Sequence, residues 1–267
     1  MFPDLISIGP FTIHTYGFFV AVGFAVGILT AVKVGKSQGV PSQQVMDMAF
    51  VMIVWAIIGS RLFYVLINFS HYKIHPLDII KLWQGGLVFS GGLVATAAAM
   101  LWYLRRHRLS FWSTGDLWAP SLALGQALGR VGCFMAGCCY GRPTGSSWGV
   151  VFTNPKSLAP LNIPLYPTQV FEAFGGFMIF LILLFLHGKR KFEGQVFLWY
   201  LILHSTARLF VERFRGDERG LIPGTDMSAT QLVAILILVG SVVLLFILRS
   251  RWERKNKGSG RESQAKG

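Results

Sequence analysis

An arginine inside an apolar, glycine-rich stretch is the first candidate for chemistry in this chain of 267 residues. Arg130 lies within residues 125 to 142, where positions 125, 129, 132, 137 and 141 are all glycine. A charged side chain in an apolar helix is costly unless it faces a polar interior or an anionic ligand. Glycines remove side-chain bulk, so another backbone or a ligand can approach closely. The stretch therefore predicts a polar site around Arg130.

Two further arginines and a glutamate form a second candidate group. Arg208, Glu212 and Arg215 are spaced i, i+4 and i+7, which predicts that they share one helical face. The planar guanidinium group suits bidentate contact with a phosphate, so we expect Arg130 and Arg208 to bind one while Glu212 orients Arg208. The alternative is a network of ion pairs that only holds helices together, because buried charges usually pair.

Isolated polar residues in other apolar segments are weaker candidates. Arg61 is expected to pair with Glu172, and Tyr16 could donate a hydrogen bond inside a cavity, although isolated tyrosines more often anchor a helix at the membrane interface. His204 lies one turn before Arg208, and a histidine of the protein core is its simpler interpretation.

The three cysteines, Cys133, Cys138 and Cys139, all lie in the same stretch as Arg130. An odd number in one cluster is not a disulfide framework. A zinc site has four ligands and no histidine lies nearby in the sequence, so we predict no metal and no cofactor. Small buried side chains are the simpler interpretation, and a membrane thiol oxidoreductase is kept as an alternative function.

The composition indicates which elements position these residues. The chain is 53% hydrophobic and only 14% charged, whereas soluble domains carry about 25% charged residues. An integral membrane protein is therefore predicted. The net charge of +13 is attributed to membrane orientation and anionic lipid, and nucleic-acid binding is not predicted. The first basic residue, Lys33, follows the first apolar run, so that run is predicted to be a true span and no cleavable signal peptide is expected.

The apolar runs predict an all-α, polytopic fold with about seven transmembrane helices, each near the roughly 20 residues that a bilayer requires. The predicted spans are 14–34, 45–69, 86–104, 117–136, 168–187, 194–214 and 228–248. They form one domain over residues 1–248, in which residues 1–10 are an interfacial lead-in and the loop 137–166 is a small head. Residues 249–267 are expected to form a basic, disordered tail.

Lysines and arginines predict the orientation. An outside N-terminus places the basic clusters near Lys33, Arg105 and Lys189, together with the basic tail, on the cytoplasmic side. The loops alone are nearly balanced, so the tail decides the prediction. The 137–166 head then lies outside, in the periplasm of a bacterium.

Residues 129 to 142, Gly-Arg-Val-Gly-Cys-Phe-x-x-Gly-x-x-x-Gly-Arg, resemble the signature of the prolipoprotein diacylglyceryl transferases. Nearly the whole chain is similar to this family, because further motifs follow in the same order and spacing. They are Thr15-Tyr16-Gly17, Gly59-Ser60-Arg61-x-x-Tyr64, Trp83-Gln84-Gly85-Gly86 with Gly91-Gly92, Tyr166-Pro167-Thr168-Gln169-x-x-Glu172, Arg208-x-x-x-Glu212-x-x-Arg215 and Ser228-x-x-Gln231.

The resemblance implies an enzyme of the bacterial inner membrane with seven spans, an outward N-terminus and a periplasmic head. Such an enzyme transfers the diacylglyceryl group of phosphatidylglycerol to the lipobox cysteine of a preprolipoprotein and releases glycerol 1-phosphate. Matched to the motifs, the predicted catalytic residues are Arg130, Arg208, Tyr16 and Glu212, and the predicted lipid-binding residues are Arg130, Arg208, Gly141, Arg215 and Arg61.

Three positions depart from the family pattern. Ser90 stands where many members have histidine, and Cys133 and Cys138 stand where many have asparagine and glutamate. The base that accepts the thiol proton is therefore not assigned. Besides the oxidoreductase, a lipid or anion transporter is an alternative, against which the lack of a detectable internal repeat counts mildly.

Overall fold

The computed structural model describes residues 1–8, 11–82, 85–217, 224–225 and 227–265, and side chains except those of residues 7, 8, 11 and 257–265. The prediction of a mostly helical chain is confirmed. The motif positions Trp83 and Gln84 lie outside the described residues. The helices are α1 (Thr15–Ser37), α2 (Ser42–Ile67), α3 (Phe69–Ile74), α4 (Phe89–Arg106), α5 (Phe111–Ala136), α6 (Thr168–Gly188), α7 (Gln195–Glu212) and α8 (Ala229–Ala265), with a 3₁₀ helix at Pro76–Ile80.

Each of the seven predicted spans coincides with one long helix, and six of these helices end within six residues of the predicted bounds. The seventh, α8, continues to Ala265, so residues 249–265, which were expected to be a disordered tail, are helical. Among the described residues, four helical segments are long and apolar enough to cross a membrane, which identifies a membrane protein. These are Thr15–Ser37, Ser42–Ile67, Thr168–Gly188 and Ala229–Asn256.

The chain divides into two compact units, one of residues 1–31 and 115–267 and one of residues 32–114. In the first unit, α5, α6 and α7 share a core that contains Ala123, Ile179, Leu183 and Tyr200. Helix α1 lies against α5 where Gly23 meets Gly125, and a Cβ on Gly23 would lie 3.0 Å from the Gly125 carbonyl oxygen. The close approach predicted from the glycines is thus confirmed at this contact.

The N-terminal residues correct one prediction. They are not only an interfacial lead-in, because β1 (Asp4–Ile8) and β2 (Phe11–His14) pair antiparallel, with Ile6 opposite Ile13. The alternating residues of β2, Phe-Thr-Ile-His, carried this signal, which the apolar composition of the segment obscured. Lys156 of the head loop forms an ion pair with Asp4 at 2.5 Å and lowers the pKa of that carboxyl group.

The head loop contains a second small sheet that the all-α prediction also omitted. Strands β3 (Val150–Val151) and β4 (Pro164–Leu165) pair antiparallel. Phe152, Ala159 and Leu165 form a small core beneath them, against which Met1 packs. The loop 137–166 is therefore structured, and the N-terminal hairpin is attached to it.

In the second unit, α2 and α4 cross at a set of small residues. A Cβ on Gly59 would lie 2.3 Å from the Cβ of Ala95, and one on Gly92 would lie 2.3 Å from the Ser60 hydroxyl oxygen. These contacts leave no room for larger side chains. Two of the sequence motifs, at residues 59–61 and 91–92, are thus explained by helix packing.

A buried aspartate stabilises the start of α7. Asp116 of α5 is fully buried, and its carboxylate accepts hydrogen bonds from the backbone N–H groups of Gly194 at 2.8 Å and Phe197 at 2.9 Å. Arg190 lies 3.5 Å from the same carboxylate. The side chain therefore serves as a distant N-terminal cap for α7.

We expect the change Asp116→Asn to destabilise the protein by about 2 kcal/mol, because the amide offers one acceptor where two backbone donors converge. Thermal unfolding in detergent measures the effect. The exposed Asp47→Asn is the matched control and should change the midpoint little. Equal midpoints for the two variants would contradict the capping role.

Candidate active site

One carboxylate connects three arginines that come from different elements. Glu172, in the first turns of α6, lies 2.9 Å from Arg130 of α5, 2.5 Å from Arg208 of α7 and 3.4 Å from Arg215. The Glu172 side chain is only 9% exposed. Glu172 is absent from the predicted site residues, although it occupies the centre of the arrangement.

Arg208 is held between two carboxylates. Its second guanidinium nitrogen lies 2.5 Å from Glu212, so the predicted contact between these residues is confirmed. Ser228 donates a hydrogen bond to the other oxygen of Glu212 at 2.8 Å. Ser228 and Gln231 also form a capping box at the start of α8, because each side chain accepts a hydrogen bond from the other's backbone N–H. The Ser-x-x-Gln motif therefore fixes Glu212 and, through it, Arg208.

Arg215 joins the cluster by a route that the helical pattern did not predict. Helix α7 ends at Glu212, so the predicted common helical face was wrong for Arg215, which follows a turn after the helix. Its guanidinium group binds both oxygens of Asp217 at 2.8 Å, and its backbone pairs with Gly141. The turn brings the side chain back towards Glu172.

Gly141 occupies a position where three backbone segments meet. A Cβ there would lie 2.3 Å from the carbonyl oxygen of Tyr166 and 2.9 Å from that of Phe214. Packing therefore accounts for this glycine, and its assignment to lipid binding stays a prediction.

The arginine cluster opens into a small cleft with a cavity volume of about 50 Å³. Arg130, Glu172 and Arg208 line it, and so do His204 and Gln126, one helical turn before Arg208 and Arg130 respectively. The predicted site included neither His204 nor Gln126, although the four-residue spacing to each arginine was a usable signal. Gln126 accepts a hydrogen bond from the Tyr200 hydroxyl at 3.1 Å.

The three arginines differ in how accessible they are. Arg130 exposes 32% of its side chain, whereas Arg208 exposes 11% and Arg215 exposes 3%. An anion that enters the cleft can therefore reach Arg130 most easily. The two buried arginines hold the Glu172 carboxylate in place.

Tyr16 lies at the start of α1, next to the Arg130 segment. A Cβ on Gly132 would lie 3.2 Å from the Tyr16 carbonyl oxygen. Tyr16 is 46% exposed. The structure thus places the start of α1 beside the segment that carries Arg130, and the catalytic role of Tyr16 stays a prediction.

The three cysteines converge at the C-terminal end of α5, where Cys133 lies in the last turn and Cys138 and Cys139 follow the helix. Their sulfur atoms all lie within 4.8 Å of one another, and none forms a disulfide. Cys133 is buried as predicted, whereas Cys138 and Cys139 are partly exposed. Hydrogen bonds from the thiols of Cys133 and Cys138, together with the nearby Arg215 guanidinium, lower the pKa of the Cys139 thiol.

Arg61 belongs to the second unit, and the prediction that it pairs with Glu172 was wrong. All five of its N–H donors bind backbone carbonyls of its own unit, on Asp78, Ile79, Lys81, Gly85 and Gly86, at 2.6 to 3.3 Å. Its guanidinium carbon also lies 5.5 Å from the ring centre of Tyr72. With every donor used, Arg61 fixes the 78–86 loop, and its assignment to lipid binding stays a prediction that this geometry does not favour.

We expect Arg61→Lys to destabilise the protein by more than about 2 kcal/mol, because an ammonium group has three donors for the five carbonyls that the buried Arg61 side chain binds. Differential scanning fluorimetry in detergent measures the shift. Arg105→Lys, on the exposed end of α4, is the matched control. If both variants unfold at the wild-type temperature, Arg61 does not stabilise the 78–86 loop.

The apolar helices and the cleft define a helical membrane protein with a cluster of arginines and carboxylates among its helices. The sequence model described as prolipoprotein diacylglyceryl transferase matches residues 3–247. A phosphatidylglycerol–prolipoprotein diacylglyceryl transferase of Clostridium tetani is 33% identical over 251 residues, which is 94% of this chain and 99% of the relative. A second such transferase, of Clostridium perfringens, is 33% identical over 92% of this chain and 95% of its own length.

A relative from Trichormus variabilis with the same name is 32% identical over 92% of this chain and 90% of its own length. The chain belongs to the prolipoprotein diacylglyceryl transferase family. This assignment identifies a transferase, and it decides against the thiol oxidoreductase and the transporter as the class of protein.

Proposed function

We propose that this chain transfers the diacylglyceryl group of phosphatidylglycerol to the lipobox cysteine thiol of preprolipoproteins and releases glycerol 1-phosphate. The observation that supports this proposal most directly is the cleft in which Arg130, Glu172 and Arg208 meet. The names of the relatives supply the two substrates. The cleft supplies a place where the phosphate of the lipid can bind.

The arginines of the cleft stabilise the leaving group. When the thiol sulfur displaces the phosphate ester, negative charge develops on the departing phosphate oxygen. Arg130 is accessible to that oxygen, and Arg208 is already oriented by Glu172 and Glu212. Donors that are held in place before the reaction stabilise the transition state without a cost of reorganisation.

Glu172 sets a condition for lipid binding. The cluster contains three arginines, Arg130, Arg208 and Arg215, and three acids, Glu172, Glu212 and Asp217, so its formal charge is balanced. The phosphate must therefore share Arg130 with Glu172 or displace it. Tyr16, whose backbone packs against Gly132, donates a hydrogen bond to the head group or to the incoming thiol.

The chain crosses the bacterial inner membrane seven times, with its N-terminus and the 137–166 head on the periplasmic side and its C-terminus in the cytoplasm. Four apolar helices and the three further long helices α4, α5 and α7 support this arrangement. The less apolar helices α5 and α7 carry most of the polar residues of the cleft, and Glu172 comes from α6. Phosphatase and fluorescent-protein fusions after residues 38, 107, 189 and 256 would report the cytoplasmic side for all four.

The decisive experiment combines the purified chain in detergent with head-group-labelled phosphatidylglycerol and a synthetic lipobox peptide. Release of labelled glycerol phosphate and a peptide mass increased by one diacylglyceryl group are expected. A peptide with serine in place of the lipobox cysteine is the control and should remain unmodified. A folded chain that modifies neither peptide would refute the proposal, as would failure to restore lipid attachment in a transferase-depleted bacterium.

A further inference from the structure

The sulfur atoms of the three cysteines are close enough together to bind one metal ion. Their sulfur atoms lie within 4.8 Å of one another. In a tetrahedral zinc site with zinc–sulfur bonds of about 2.3 Å, neighbouring sulfurs lie about 3.8 Å apart. Each side of the sulfur triangle therefore has to contract by about 1 Å at most, which small side-chain rotations can supply.

The backbone around the cysteines is held in place. Gly137, at a φ of +78°, reverses the chain after α5, and Cys139 itself has a φ of +60°. Thr168 and Gln169, both fully buried at the start of α6, donate hydrogen bonds at 2.8 Å to the carbonyl oxygens of Cys139 and Cys138. Such support from a second layer is typical of metal sites, because it orients the ligands.

We propose that Cys133, Cys138 and Cys139 bind one zinc ion and leave its fourth position open for the sulfur of the substrate cysteine. Three protein ligands with one open position are the pattern of catalytic zinc sites, whereas structural zinc sites are closed by four. The metal site stands on the cysteine geometry alone. The assignment of the fourth ligand rests on the proposed function.

The open position explains how the thiol could be activated. Coordination of the substrate thiol to zinc releases its proton to solvent and leaves a bound thiolate. An electron pair of that sulfur then forms the carbon–sulfur bond, while the carbon–oxygen bond to phosphate breaks and its electron pair leaves with the phosphate oxygen. The products are the thioether and glycerol phosphate, and the zinc and its three ligands are unchanged.

Cobalt is the probe for the metal site. The full-length chain in detergent is reduced, stripped with a chelator and titrated with Co²⁺. One equivalent per chain should produce a thiolate-to-cobalt charge-transfer band and the visible bands of tetrahedral cobalt, and added Zn²⁺ should abolish both. Because the chain has three cysteines in all, any thiolate signal must come from this cluster.

Serine at any one of the three positions should weaken cobalt binding by more than about 100-fold, beyond the roughly 10- to 100-fold loss that follows removal of a supporting residue. The control is a double alanine variant of His71 and His75, neighbouring histidines that could bind cobalt elsewhere, and its spectrum should be unchanged. Absence of the charge-transfer band would overturn the metal site, as would a chain that has a single free thiol before reduction because the other two are joined in a disulfide.

The fourth position is tested with the lipobox peptide. A peptide with cysteine should strengthen the charge-transfer band of the cobalt-loaded chain, whereas the serine peptide should not. If the cobalt bands form but the cysteine peptide leaves them unchanged, the fourth-ligand assignment is wrong and the metal site stands. If no diacylglyceryl transfer occurs while the cobalt bands persist, the proposed function fails independently of the metal.

Discussion

Replacing Glu172 with glutamine is expected to destabilise the protein by about 3–5 kcal/mol, the range measured when one partner of a buried ion pair is removed. Glutamine has nearly the same shape, so the substitution removes the charge without creating a cavity. It leaves Arg208 and Arg215, 11% and 3% exposed, without the carboxylate that they share. Each buried guanidinium group then loses part of the negative charge that offsets the cost of removing it from water.

Thermal unfolding in detergent, with circular dichroism as the signal, measures this effect. The matched control is Glu253→Gln on α8, because Glu253 pairs with Arg249 across one turn but both side chains are largely exposed, at 47% and 65%. An exposed pair of this kind contributes about 0.3–0.5 kcal/mol. If both variants lose the same small amount, Glu172 is not the centre of a buried network.

The same substitution should also reduce diacylglyceryl transfer, because Glu172 positions Arg130 and Arg208 together. Transfer per folded molecule separates this effect from the loss of stability. Low temperature and added phosphatidylglycerol keep the variant folded during the assay.

The helices could be predicted from the sequence because an apolar run of about 20 residues is the length that a membrane-spanning helix needs. Residues that belong together on one helix, such as Arg208 and Glu212, were also predictable, since their spacing alone places them in contact. Glu172 was seen as an ionisable residue in an apolar helix. Its contacts with three arginines depend on how α5, α6 and α7 pack, and no local spacing encodes that packing.

Arg61 illustrates a second limit. Its partners are five backbone carbonyls of the 78–86 loop, and a backbone carbonyl has no signature in the sequence. A carboxylate in another apolar segment was the natural partner to expect for a buried arginine. The loop instead wraps around the guanidinium group, which the structure alone could reveal.

The convergence of the three cysteine side chains was not predicted, for a related reason. The Cys-x4-Cys-Cys segment crosses the end of α5, so its spacing alone does not show whether the three side chains meet. The left-handed conformation of Gly137 folds Cys138 and Cys139 back towards Cys133. A glycine at this position indicates the end of a helix. The direction that the chain takes after it depends on the hydrogen bonds from Thr168 and Gln169 to the carbonyl oxygens of Cys139 and Cys138.

Arg130→Ala is expected to reduce the turnover number for diacylglyceryl transfer by about 100- to 1,000-fold, the loss that follows removal of one preorganised donor from a developing oxyanion. Its stability should change little. Arg130 is the most exposed of the three arginines at 32%, and without it Glu172 still contacts Arg208 and Arg215.

Arg208→Ala should behave differently, because Arg208 is buried and connects Glu172 to Glu212. This variant should lose both transfer and about 3 kcal/mol or more of stability. Arg213→Ala, at the exposed end of α7, is the matched control and should keep both.

Release of labelled glycerol phosphate under saturating lipid, together with the unfolding midpoint of each variant, separates the two roles. If Arg130 is catalytic, the activity of Arg130→Ala falls while its unfolding midpoint stays near that of the wild type. The reason is that the side chain acts on the phosphate, and the ion pairs of Glu172 with Arg208 and Arg215 remain without it. Normal transfer by Arg130→Ala would remove the phosphate role from Arg130. A loss of activity that only parallels the loss of stability would reduce the whole cluster to a structural network.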